Sequence, residues 1–70
     1  MEYYENNTYL VFDSNTNLPL RWNISGELNY FGNVEDAMMN LDITKFYTMK
    51  ISDCNKDLQL EYRKLIDKEL

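Results

Sequence analysis

Seventy residues fit one domain and no more, and a chain this short buries only about 60% of the surface its unfolded form exposes. The chain has no His, which removes the commonest general base, the usual activation of Ser or Cys nucleophiles and most zinc sites; with Cys54 its one cysteine, an internal disulfide is excluded. Twelve acids against seven bases leave a formal net charge of −5, which repels nucleic acid and anionic membranes and leaves basic proteins as the charge-matched partners.

Thr8–Asp13 (TYLVFD) reads as a strand, rich in β-branched and aromatic residues. The cluster Asp13-Ser14-Asn15-Thr16-Asn17 is a turn, because Asn and Asp tolerate left-handed conformations and bond their own backbone. Leu18–Ile24 then alternates: Leu18, Leu20, Trp22 and Ile24 fall on one face, Pro19, Arg21 and Asn23 on the other. This pattern predicts the second strand of a hairpin, with Pro19 at its start or on an edge. Ser25-Gly26 permits a reversal, after which Glu27–Phe31 is either a third strand or a loop.

Asn33 is placed to cap a helix, with Asp36 three residues on as an approximate capping box. Val34, Ala37, Met38 and Leu41 give that helix one apolar stripe, and being short it has to pack on the sheet. Thr44–Ile51 reads as a strand with apolar residues on both faces at one end, which predicts a central position. Ser52–Asn55 breaks it. A C-terminal helix follows from about Lys56 to near Leu70, with Leu58, Tyr62, Leu65 and Ile66 on its buried stripe and Leu60 off it. Glu61–Lys64 and Arg63–Asp67 are helical neighbours of opposite charge.

The predicted order is β-β-(β)-α-β-α, an α+β fold in which an antiparallel-dominated sheet packs helices on one face as a small two-layer sandwich. Its expected core is Leu20, Trp22, Ile24, Met38, Leu41, Met49, Tyr62 and Leu65. On that assignment Trp22→Ala would cost about 3–5 kcal/mol.

Few constellations invite chemistry. Asp13–Asn17 opens like a calcium loop, but Leu18 stands where the Gly is required and Ile24 where the bidentate Glu is required. Glu35 and Asp36 are adjacent on a helix and diverge by about 100°, so they read as solvated charges at a cap rather than an acid/base couple. Gly26 and Gly32 are isolated, so no phosphate-cradling loop exists. Cys54 beside a helix start is the one candidate for a reactive thiol, against a structural or incidental role. An enzyme is not expected, and neither a cofactor nor a metal is implied.

The charge is segregated. Residues 1–44 carry seven acids against Arg21 alone, whereas residues 45–70 carry five acids and six bases. Six Tyr, three Phe and one Trp exceed what a small core needs. Tyr3, Tyr4, Tyr9, Trp22, Tyr30 and Phe31 lack the basic groove that base stacking requires, so the surplus rings and Leu60 are expected to serve protein contact, with a homodimer foremost. Met1–Tyr9 has no apolar h-region, no stretch approaches the roughly twenty apolar residues of a membrane span, and cytoplasm is the expected compartment. The sequons at Asn6 and Asn23 are then chance matches in a chain with nine Asn. Abundant Asn, Lys and Tyr with scarce Gly and Pro suit a low-GC bacterial or phage genome.

In size, acidity, lack of catalytic residues and charge segregation the chain resembles the small acidic inhibitors of phages and mobile elements. Those proteins take over host proteins by presenting carboxylates where phosphates would bind. The resemblance implies a non-catalytic, protein-binding inhibitor of a basic nucleic-acid-binding host protein. Glu27, Glu35, Asp36 and Asp42, in a region whose one base is Arg21, are the candidate partner-binding residues. The alternative is a dimeric structural or assembly module with an aromatic interface.

Overall fold

The computed structural model describes residues 7–39 and 41–69. Tyr3, Tyr4, the Asn6 sequon and the predicted helix end at Leu70 lie outside the described residues. Tyr9–Asp13 forms strand β1, and three of its residues in a row, Leu10, Val11 and Phe12, are buried. Burial on both faces marks a central strand. It is the middle of a three-stranded antiparallel sheet, flanked by β2 (Tyr30–Phe31) and β3 (Phe46–Lys50) in the order β2-β1-β3.

The register sorts the side chains into two faces. Leu10 lies opposite both Tyr30 and Met49, and Phe12 opposite Tyr47, so these residues share one face. Tyr62 and Leu65 of helix α2 (Lys56–Glu69) pack onto it, with Leu28, Ile51 and Cys54 completing the main core. Phe12 stacks on Tyr47 with ring centroids 5.3 Å apart, and Tyr30 meets Tyr62 edge-on at 5.4 Å. Val11 points the other way and is also fully buried. The short helix α1 (Val34–Met38) lies against all three strands, and its Ala37 is buried outside the α2 cluster, as Val11 is. The α+β class and the antiparallel sheet are those predicted. Burial shows the layering: α2 covers the Leu10 face, and α1 belongs to the Val11 side.

The caps follow the sequence closely. Asn33 Oδ1 accepts from the Asp36 N–H at 2.7 Å, and Asn33 Nδ2 donates to Asp36 Oδ2 at 3.1 Å. Asn55 Oδ1 accepts from the Leu58 N–H at 2.9 Å and so starts α2. Helix α1 ends at Met38, one turn short of the expected stripe, so Leu41 lies beyond it and Val34 is exposed.

Leu18–Ile24 is not a strand of the sheet. Only its first residues run beside β1: the Asp13 N–H donates to Leu18 O at 3.0 Å, the Leu20 N–H to Val11 O at 2.8 Å, and Pro19 bridges to Phe12. The chain then leaves β1 and turns back on itself. Arg21 bridges to Leu28, the Trp22 N–H donates to Glu27 O at 2.9 Å and the Gly26 N–H to Trp22 O at 2.8 Å. Gly26 takes φ +74°, a conformation that favours glycine. β2 rejoins β1 afterwards.

Residues 21–28 therefore form a hairpin that projects from the sheet, and this overturns the expected core. Trp22 is 61% exposed and Ile24 fully exposed, because alternation buries a side chain only where another layer covers the strand. Leu28, on the returning arm, takes the core position instead and is 1% exposed. Tyr62 and Leu65 are buried as expected, while Leu20, Met38, Leu41 and Met49 are half-buried. β3 is also an edge strand among the described residues, not a central one; the apolar pair Phe46 and Tyr47 that implied burial on both faces is only half-buried.

Stability should follow this map. Leu28→Ala should cost about 2–5 kcal/mol in urea unfolding, whereas Trp22→Ala should stay within about 0.5 kcal/mol of the parent. A larger loss from Trp22→Ala than from Leu28→Ala would place the hairpin in the core after all.

Candidate functional site

The four candidate carboxylates sit on three segments. Glu27 sits on the returning arm of the hairpin, which docks against α2. There Lys68 Nζ lies 3.5 Å from Glu27 Oε2. Glu27, Leu28, Glu61, Lys64, Leu65 and Lys68 line an open cleft of about 190 Å³. Two acids and two bases share it, so its charge is internally balanced. Glu35 and Asp36 occupy the first turn of α1 and are exposed. Asp42 follows in the exposed turn that leads to β3.

Asp42 is held as a carboxylate. Its Oδ1 accepts from the Thr44 hydroxyl at 2.6 Å and from the Thr44 N–H at 2.9 Å, and these bonds lower its pKa. Asp36 has its Asn33 partner. Among the described residues no Lys or Arg pairs with Glu35, Asp36 or Asp42.

Arg21, the one base of the first 44 residues, is drawn away from these acids. It grips Glu61 of α2 in a two-pronged pair: Nη1 bonds Oε2, and Nη2 lies 3.1 Å from Oε1. Nη1 also donates to Gly26 O at 3.1 Å, so one guanidinium ties the hairpin to itself and to the helix. The hydrogen bond to Glu61 raises the Arg21 pKa despite partial burial. Glu61 thus serves Arg21, forty residues away, rather than a helical neighbour.

Four of the eight rings among the described residues are spent internally. Phe12, Tyr30, Tyr47 and Tyr62 pack in or against the main core, and among the described residues Trp22 is the exposed ring. It shares the hairpin with fully exposed Ile24, which gives an apolar tip. Alternation along Leu18–Ile24 assigns both residues to the core; the sequence signal for the tip is Ser25-Gly26 closely following Trp22. A second group of exposed apolar residues, Val34, Met39 and Ile43, lies along α1 and the segment after it, interleaved in sequence with the three carboxylates.

Cys54 is a buried thiol. Its Sγ donates to Lys50 O at 3.3 Å, and burial, with the neighbouring Asp53 charge adding to it, pushes its pKa up. That is opposite to the shift that activates a nucleophile. Among the described residues no group of three or more His, Cys, Asp or Glu is placed to hold a metal, and no helix is long and apolar enough to cross a membrane. Comparison with protein families, characterised proteins and solved structures finds no match for this chain.

The thiol gives a direct check. Iodoacetamide should label Cys54 far more slowly in the folded protein than in urea. Because folding raises its pKa, the folded state holds the thiol proton more tightly. The stability this contributes is complete below the unfolded pKa and is lost as pH rises through the folded value. Equal labelling rates in the two states would contradict the burial.

Proposed function

We propose that this chain is a non-catalytic protein-binding inhibitor, whose acidic surface occupies the nucleic-acid-binding site of a basic protein of the host cell. The observation that carries this reading is the fate of Arg21. Its pairing with Glu61 leaves Glu35, Asp36 and Asp42 exposed and without a cationic partner among the described residues. Carboxylates so presented meet the Lys and Arg side chains that otherwise hold phosphates. Glu27 plays a lesser part, since Lys64 and Lys68 share its cleft. Exposed Val34, Met39 and Ile43 beside the acids supply apolar contact, without which a purely ionic surface binds weakly.

One observation favours a second reading, a structural or assembly module joined through an apolar interface: Trp22 and Ile24 stand exposed on a hairpin tip. Salt separates the two, because an acidic surface releases its partner as ionic strength rises and an apolar one does not.

The test is capture from bacterial lysate at low and high salt, followed by competition with DNA for the captured protein. Glu35→Gln, Asp36→Asn and Asp42→Asn combined should leave the melting temperature nearly unchanged, since exposed charges contribute little to stability. The same variant should no longer displace DNA. If it competes as well as the parent, or if only Trp22→Ala abolishes capture and salt does not, the inhibitor reading fails.

A further inference from the structure

Among the described residues, the outer edge of β3 carries a pattern of free backbone groups that matches itself. The Ser14 N–H donates to Lys45 O and the Ile51 N–H to Thr8 O, each at 2.8 Å, on either side of the ladder that pairs Leu10 with Met49 and Phe12 with Tyr47. In an antiparallel ladder alternate residues turn their N–H and C=O toward the same neighbour, so Tyr47 and Met49 bond β1 while Phe46, Thr48 and Lys50 face outward.

Two of those six outward groups are already used. The Phe46 N–H donates to Asp42 O at 3.1 Å, and Lys50 O accepts the Cys54 thiol at 3.3 Å. Among the described residues this leaves Phe46 O, Thr48 N–H, Thr48 O and Lys50 N–H without a partner. The remaining set is symmetric about Thr48: an acceptor at one end, a donor at the other, and one of each at the centre.

We propose that β3 pairs with β3 of a second copy of this chain, antiparallel and centred on Thr48, to form a six-stranded sheet across a two-fold axis. In that register each Thr48 N–H donates to the other Thr48 O, and each Lys50 N–H donates to the other copy's Phe46 O. Every free group is satisfied, and neither group already engaged is needed. A two-fold interface requires such self-complementarity. The charges agree with it: Lys45 and Lys50 stand opposite Ile51 and Phe46 of the second copy, so no two cations face each other directly. Lys50 meets the Phe46 ring, and Tyr47 meets Met49, a sulfur–aromatic pairing. An unpaired edge is otherwise a liability, and two-fold closure removes it without opening a route to fibres. This pairing rests on neither functional reading above, since it uses neither the carboxylate side chains nor the Trp22 hairpin.

Sedimentation equilibrium of the full chain should show a species of twice 8.4 kDa at high protein concentration, insensitive to salt. Isotope-filtered NMR on a mixed-label sample should give an intermolecular contact between Tyr47 Hα and Met49 Hα, the pair brought closest in this register. Thr48→Pro removes an outward N–H and no bond to β1, so the variant should keep its fold and dimerise about tenfold more weakly or worse. A parent chain that stays at 8.4 kDa overturns the proposal. So does a dimer that lacks the Tyr47–Met49 contact, or one that Thr48→Pro leaves unchanged while its circular dichroism remains native.

Discussion

Everything else in this structure depends on the burial of β1 on both faces. Leu10, Val11 and Phe12 are consecutive and almost wholly removed from water, so the strand requires a neighbour on each edge and cover above and below. A chain of 70 residues has little with which to meet those demands. It spends β3 on one edge, divides the other between Leu18–Leu20 and β2, and commits α2 to the Leu10 and Phe12 face. The short α1, too small to stand alone, is left for the Val11 side.

Dividing one edge of β1 between two segments has a consequence for the surface. The residues between them must leave the sheet, and they do so as a hairpin held against α2 by Leu28 below and Arg21–Glu61 above. The apolar tip with Trp22 and Ile24 is the part of that hairpin for which no layer remains. The same ion pair redistributes charge. By matching Arg21 to an acid of the C-terminal helix, it leaves the acids of α1 and its following turn without a cationic partner among the described residues. A packing solution in the core thereby fixes both the apolar and the acidic character of the exterior.

The edge of β3 follows from the same economy. With three strands and β1 in the middle, β3 has no neighbour on its outer side among the described residues. Part of that edge is dressed locally: the Asp42 turn takes the Phe46 N–H, and the thiol of Cys54 reaches Lys50 O. Cys54 thereby has a structural use in keeping with its burial.

Local physics was legible in the sequence. The Asn33–Asp36 cap, the start of α2 at Lys56, the strand at Tyr9–Asp13 and the buried stripe through Tyr62 and Leu65 all depend on residues within a turn or two of one another. The candidate acids were legible as charges, and Glu35 and Asp36 as members of a helix's first turn, but sequence order does not reveal that Glu27 stands with Lys68 of α2. The failure at Leu18–Ile24 has the same origin: alternation says that a strand has two faces, not which face, or how much of its length, another layer will cover. Leu28 instead of Trp22 in the core, Glu61 rather than an acid of the first half as partner to Arg21, and β1 rather than β3 at the centre are choices among distant segments competing for one small buried volume. Periodicity and capping are properties of neighbours along the chain, and determined the elements; occupancy of the core is a property of the whole chain, and only the tertiary structure decided it.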